Sequence, residues 1–146
     1  MAVVGPGDAG AGARDAAERV GRELGRRGAV VVCGGLGGVM EAACRGAKEA
    51  GGTTLGVLPG LERGEANRYV DVALTTGLGE ARNALVARAA DALVAVAGGY
   101  GTLSEIALAL KAGKPVIGLG SWAVEGVRPA ESPEEGVAAA LAALGR

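Results

Sequence analysis

Short apolar runs alternate with helical patterns along almost the whole chain, and this alternation limits the possible folds more than any other feature. Helical periodicity fills the intervals between the runs, and Ser132 or Pro133 opens a last helix. The order predicts an α/β, Rossmann-like, doubly wound fold: a mostly parallel sheet of six or seven strands with helices on both faces. The runs with the character of buried parallel strands are residues 2–5, 29–33, 53–58, 70–75, 91–97 and 115–120, and the predicted helices are 12–27, 36–51, 80–90 and 103–113.

Length and composition exclude several classes of protein. The length of 146 residues predicts a single domain over residues 1–146. The apolar runs are too short to cross a membrane, and the N-terminal segment lacks a signal-peptide pattern, so we expect a cytoplasmic protein with no membrane partner. A net charge of −1 and the lack of any basic, aromatic-rich stretch argue against a nucleic-acid partner.

The titratable residues narrow the chemistry further. The chain has no histidine, which removes the commonest general base and metal ligand, and we predict no metal site. Cys33 and Cys44 match neither a C-x-x-C redox pair nor a disulfide framework, and we interpret them as buried thiols. Any chemistry must therefore use carboxylates, arginines, hydroxyls and backbone groups.

Two glycine-rich turns, "CGGLGG" and "AGGYGT", each follow an apolar run and precede a helix. Such a turn presents unpaired N–H groups at the positive end of the helix dipole, and glycines let a phosphate approach the backbone closely. We predict that both turns bind one phosphorylated small molecule at the carboxyl edge of the sheet; tight turns with nothing bound are the alternative. The predicted ligand-binding residues are Gly34, Gly35, Gly37, Gly38, Met40, Asn83, Gly98, Gly99, Tyr100, Gly101 and Thr102.

Familiar nucleotide motifs are absent or incomplete. Neither turn has the G-x-x-x-x-G-K-[ST] spacing of a P-loop. Residues 5–10, "GPGDAG", match G-x-G-x-x-G, but Cys33 stands where a dinucleotide-binding unit needs an acidic residue. NAD(P) binding therefore remains a minor alternative, together with a non-catalytic structural role.

The segments "CGGLGGVMEAACRGAKEAGGTTLGVLPG" and "AGGYGTLSEIALALKAGKPVIGL" resemble the LONELY GUY (LOG) family, also labelled lysine decarboxylase-like, over roughly residues 28–119. Within that superfamily the pattern is most similar to the molybdenum-cofactor carrier branch. The resemblance implies a Rossmann-like homodimer or homotetramer that binds an AMP-like nucleotide or the molybdenum cofactor at the glycine turns.

The LOG resemblance also implies an activity, release of the base from a nucleoside 5′-monophosphate, with Arg82 and Glu105 at the positions of the family's catalytic arginine and glutamate. Asn83 replaces the family's lysine, and Ala97 replaces the proline of PGGxGTxxE. These differences favour a carrier over a hydrolase. A pyridoxal-phosphate decarboxylase is rejected because none of the lysines, Lys48, Lys111 and Lys114, is predicted at the site.

Arg82 and Glu105 each have an interpretation from local sequence as well. Arg82 shares a helical face with Leu85, Val86 and Ala89, so we expect it to need an anion, either ligand phosphate or Glu105. In "TLSE", Glu105 follows Thr102 by three residues, which predicts a capping box. A ligand contact by Glu105 is compatible with that structural role.

Overall fold

Seven strands and five α-helices follow one another in the computed structural model, which describes residues 1–146. Short 3₁₀ helices lie at Arg63–Glu65 and Gly79–Arg82. The strands are β1 (Ala2–Val4), β2 (Val31–Cys33), β3 (Thr54–Leu58), β4 (Val72–Thr75), β5 (Leu93–Val96), β6 (Val116–Leu119) and β7 (Val127–Pro129). The helices are α1 (Ala11–Arg26), α2 (Val39–Glu49), α3 (Asn83–Ala89), α4 (Tyr100–Lys111) and α5 (Pro133–Ala143).

The strands form one sheet in the order β4-β3-β2-β1-β5-β6-β7, and every neighbouring pair is parallel. Ala2 in β1 is in register with Val32 on one side and Leu93 on the other. All six predicted runs are strands, and β7 adds a seventh that no apolar run indicated. The prediction of a Rossmann-like, doubly wound parallel sheet is confirmed.

Successive side chains along each strand alternate between the two faces of the sheet, and each face has its own hydrophobic core. Val3, Val31 and Val94 face the layer of α1, α2 and α5, whereas their neighbours Val4 and Leu93 face α3 and α4. Successive side chains of a strand point to opposite faces, so a run that is apolar at every position needs helices on both sides. This is why the strands have almost no polar residues.

Helices α1 and α2 pack at very short range. A Cβ atom at Gly46 would lie 1.9 Å from the carbonyl oxygen of Glu18, and one at Gly21 would lie 1.9 Å from that of Ala43. Only glycine fits at these two crossing points. This close packing sets the position of α2 against α1.

Three helix starts differ from the sequence prediction by three residues, and one of them is α3, which begins at Asn83 rather than residue 80 because a 3₁₀ helix occupies Gly79–Arg82. α2 begins at Val39 rather than residue 36, because Gly35 and Gly38 have φ angles of 78° and 61°, which a right-handed helix excludes. α4 begins at Tyr100 rather than residue 103, with Gly99 as an extended N-cap. Each helix of the structure is too short or too polar to span a lipid bilayer.

Candidate functional site

The strand order places the candidate site at the centre of the sheet. The chain moves outward from β1 through β4 and then returns to β5, which lies beside β1. In open α/β sheets, ligands bind outside the carboxyl ends of the strands where the order reverses in this way. The turns after β1, β2 and β5 all open at that edge.

The turn after β5 has free hydrogen-bond donors. None of the backbone N–H groups of residues 98–102 has a partner within the protein. They lie at the N-terminus of the three-turn helix α4, where the helix dipole adds a positive partial charge. Gly98, Tyr100 and Gly101 are exposed, so this turn has both the donors and the access that an anion needs.

Ala97 sets the path of this turn. Its φ of 55° makes it the one non-glycine residue with a left-handed backbone, a conformation that costs about 1–3 kcal/mol. Proline has φ fixed near −65° and cannot adopt it. The alanine at this position therefore permits a backbone path that the proline of the LOG motif excludes.

The turn after β2 is held by its neighbours. Val39, the first residue of α2, donates its N–H to the carbonyl oxygen of Pro6 in the turn after β1. A Cβ at Gly38 would lie 2.4 Å from that same oxygen, so this glycine is required by packing. Met40 fills the space between the two turns, with its Sδ 2.8 Å from a Cβ built at Gly34. The glycine-rich turn after β2 thus differs from the one after β5, because it also packs against the turn after β1. We call this contact between the turns after β1 and β2 the joint.

Asn67, which the sequence analysis did not single out, fastens the long 59–69 segment to this joint. Its side-chain Nδ2 donates to Leu36 O at 2.9 Å, and its backbone N–H donates to Gly35 O at 2.8 Å. Its Oδ1 accepts from the N–H of Tyr69. No local motif marks Asn67, because the two carbonyl oxygens to which it donates lie more than 30 residues earlier in the chain.

Arg82 is buried beneath the joint, as its predicted helical face requires, but its partners differ from those expected. Its Nε donates to Val57 O at 2.9 Å, its Nη2 donates to Gly34 O at 3.3 Å, and its Nη1 contacts Asn83 Oδ1. Of the two anions expected as its partner, Glu105 forms no salt bridge or hydrogen bond with it, and the ligand phosphate stays a prediction. The guanidinium instead joins the end of β3 to the turn after β2.

The predicted apolar face around Arg82 is partly wrong. Val86 is buried, but Leu85 and Ala89 are exposed. A 3₁₀ helix over Gly79–Arg82 precedes α3, and its tighter winding changes the angle between Arg82 and the residues that follow. Arg88 is exposed, as predicted.

Asn83 connects Arg82 to the turn after β5 through hydrogen bonds. Its Nδ2 donates to Ser104 Oγ at 3.3 Å, and Ser104 Oγ donates to Gly101 O at 2.6 Å. Gly34, Arg82, Asn83, Ser104 and Gly101 therefore form one hydrogen-bonded chain between the two glycine-rich turns. The residue that replaces the LOG lysine is the centre of this chain, and Ser104 is a member that sequence reasoning missed.

Glu105 is buried on α4, one helical turn beyond the free N–H groups, and has no hydrogen-bond partner in the protein. Burial raises the pKa of its carboxyl group to about 7, although the positive charge of Arg82 opposes the shift. The predicted capping box is wrong: Thr102 is the third residue of α4 rather than its N-cap, and no side chain caps this helix. Glu105 is thus a carboxyl group poised to exchange a proton near neutral pH.

The cysteines lie beneath the turn after β2 and are both free and buried, as predicted. Cys33 Sγ and Cys44 Sγ are 3.4 Å apart, and Cys33 Sγ also accepts from the N–H of Gly35. The hydrogen bond to Cys33 and burial raise the pKa of the Cys44 thiol. These thiols pack with Met40 as part of the joint.

Comparison with known proteins gives close structural matches. The molybdenum cofactor binding protein of Rippkaea orientalis is 37% identical, with a TM-score of 0.93 over 98% of this chain and 95% of that protein. The molybdenum cofactor carrier protein of Chlamydomonas reinhardtii is 38% identical, with a TM-score of 0.89 over 99% of this chain and 97% of that protein.

A more distant relative comes from a plant. The probable cytokinin riboside 5′-monophosphate phosphoribohydrolase LOGL9 of Oryza sativa subsp. japonica is 38% identical over 96 residues, which are 64% of this chain and 42% of that protein. This chain therefore matches less than half of the plant protein. The sequence profile of the SLOG cluster4 family matches residues 1–142. The chain belongs to the SLOG cluster4 family, a LOG-like group, and lies close to the molybdenum-cofactor carrier branch.

Proposed function

We propose that this protein binds a phosphorylated small molecule of nucleotide or pterin type at the turn after β5, as a carrier similar to the molybdenum-cofactor carriers. The free N–H groups of residues 98–102 are the observation that supports it most, because they match a phosphate in charge and geometry. The likeness to two proteins named for binding or carrying this cofactor supports the ligand class. The molybdenum cofactor would be cargo here, held by its phosphate at the same N–H groups.

Thermal unfolding with added ligand tests the proposal. AMP, other mononucleotides and molybdopterin-type ligands are added separately, and a ligand at 100 times its Kd is expected to add about 2.7 kcal/mol to the free energy of unfolding. If none of them raises the unfolding temperature, a structural or interaction role takes the place of binding. NAD(P) in the same series tests the dinucleotide alternative.

A pair of glycine variants locates the phosphate. Gly99 has a φ of −128° and a Cβ there meets nothing within 4 Å, so Gly99→Ala is expected to fold normally but to place a methyl group at the turn. We expect it to weaken ligand binding at least about tenfold. Gly10, the N-cap of α1, also has room for a Cβ, and Gly10→Ala is the matched control that keeps wild-type affinity. Equal affinity of both variants would place the phosphate elsewhere.

Hydrolysis of nucleoside 5′-monophosphates is the second candidate. The buried Glu105, with its pKa of about 7, can accept a proton from water or stabilise a positive sugar near neutral pH. Arg82 favours the carrier, because its Nε and both Nη atoms already contact protein groups. Incubation with AMP, followed by chromatography to measure the released free base, distinguishes a hydrolase from a carrier. Turnover of about 1–10³ per second that Glu105→Gln loses while still binding AMP establishes the hydrolase.

We also propose that the protein forms a homodimer or homotetramer. Large apolar side chains are exposed around β4, and apolar exposure of this kind is typical of an interface between subunits. They are Leu61, Val72, Leu74 and Leu78. Light scattering is expected to give at least twice the mass of the chain, and Leu74→Glu should reduce it to the monomer mass. A wild-type monomer would refute this part of the proposal.

A further inference from the structure

Aromatic residues are rare in this chain and are concentrated at the candidate site. There is one tryptophan, there are two tyrosines, and there is no phenylalanine. Tyr100 and Trp122 stack on each other with ring centroids 6.1 Å apart and an angle of 26° between the ring planes. They come from different segments, the start of α4 and the loop after β6, so only the fold brings them together.

Trp122 is fixed against the glycine-rich turn. Its Nε1 donates to Gly99 O at 3.1 Å. A Cβ at Gly98 would lie 2.6 Å from the same Nε1, so the glycine is needed for the indole to approach. One role of Gly98 is therefore to admit this aromatic ring, which the glycine pattern alone did not reveal.

Tyr100 is 85% exposed, the most exposed large apolar side chain of the protein. One face of its ring rests on Trp122, and the rest is open to solvent, so packing within the chain does not account for it. The free N–H groups of residues 98–102 include its own. A ligand whose phosphate binds these groups has this ring beside it.

A cleft of about 530 Å³ begins at Tyr100 and runs between α3 and α4. Glu80 is its one charged lining residue, and Asn83, Gly101 and Ser104 supply the other polar groups. No lysine or arginine lines it, so it does not suit a second phosphate. A carboxylate and an exposed aromatic ring that line the same cleft suit a flat ring that carries an amino group.

We propose that the Tyr100–Trp122 pair is the stacking platform for the heterocycle of the phosphorylated ligand, with Glu80 accepting a hydrogen bond from an amino group of that ring. The ligand class is an amino-substituted purine or pterin. This inference rests on the proposed phosphate binding and adds the part of the site that selects the ring. Each base that stacks on an aromatic side chain typically contributes enough affinity for alanine substitution to be measured.

Calorimetric titration with AMP and with ribose 5-phosphate, which has no heterocycle, separates the two parts. Wild-type protein is expected to bind AMP at least about tenfold more tightly than ribose 5-phosphate. Tyr100→Ala should weaken the binding of AMP more than that of ribose 5-phosphate and so remove this preference, whereas Tyr100→Phe should retain it. AMP should also quench the emission of Trp122, the only tryptophan, and ribose 5-phosphate should not.

Three results would overturn the inference. The first two are equal affinity for the two probes and full AMP preference in Tyr100→Ala. The third uses inosine 5′-monophosphate, which lacks the amino group: it is an AMP preference over this nucleotide that Glu80→Leu, which has no hydrogen-bond acceptor, leaves unchanged. Binding of ribose 5-phosphate with any of these results leaves the proposed phosphate site standing. If neither probe binds, the proposed function is refuted, and the stacking platform is refuted together with it.

Discussion

Replacing Glu105 with glutamine tests the most unusual electrostatic feature of the site. Glu105 is 8% exposed, and its carboxyl group has no hydrogen-bond partner and a pKa of about 7 instead of 4.5. Burial causes the shift because the ionised form loses hydration that Arg82 only partly replaces. Glutamine has nearly the same shape but cannot ionise, so the variant removes only the charge.

The magnitude follows from the pKa difference. Between pH 4.5 and about 7 the folded protein holds a proton at Glu105 that the unfolded chain releases, so the free energy of unfolding falls as the pH rises. Because each pKa unit corresponds to 1.36 kcal/mol, the total loss above pH 7 is about 3 kcal/mol. Glu105→Gln should match wild type near pH 4.5 and exceed it by about 3 kcal/mol at pH 8.

Denaturant unfolding at several pH values measures this difference directly. At pH 8 the variant should also unfold about 6–12 °C higher than wild type, at about 2–4 °C per kcal/mol for a chain of this size. Glu125→Gln, at an exposed position without ion pairs or hydrogen bonds, is the matched control and should have the stability of wild type at pH 8. A Glu105→Gln advantage that stays constant with pH would refute the reasoning, because it would mean that Glu105 does not titrate near 7.

Four further substitutions follow from the packing. Ala97→Pro, which restores the LOG motif, should lower the free energy of unfolding by about 3 kcal/mol or more in denaturant unfolding, because proline excludes φ 55° and loses the N–H bond to Leu119 O. Ala97→Gly should be neutral or stabilising. A stable proline variant would refute this turn geometry. Gly46→Ala should lower the free energy of unfolding by about 1–3 kcal/mol or more, since its Cβ would lie 1.9 Å from Glu18 O. The added Cβ of Gly12→Ala on α1 meets no atom within 4 Å, so this variant should not be destabilised. Equal effects of the two substitutions in the same assay would contradict the close α1–α2 contact. Asn83→Ala should lower the unfolding temperature by about 2–6 °C and weaken AMP binding, because it breaks the chain from Arg82 to Ser104; unchanged affinity would mean that the two turns act independently. Asn67→Ala should speed amide hydrogen exchange at residues 34–38 but not at 98–102. Unchanged exchange at residues 34–38 would show that Asn67 does not hold the turn after β2 in place.

The sequence by itself determined the architecture and predicted the edge of the sheet at which the candidate site lies. Strand and helix periodicity are local properties, so the apolar runs at residues 2–5 and 91–97 already predicted parallel strands, and the glycine pattern predicted a turn followed by a helix after β5. The burial of Arg82 was expected from a helical face shared with Leu85, Val86 and Ala89, but only Val86 of these three is buried.

Tertiary structure decided what the site residues do. Arg82 bonds to Val57 and Gly34, which lie 25 and 48 residues away, and no local pattern encodes such partners. The position of Trp122 on Gly98 and the pKa of Glu105 likewise depend on what the fold packs around them. Hydrogen bonds and desolvation act through space, whereas periodicity acts along the chain, so the elements could be predicted from the sequence and the partners of their side chains could not.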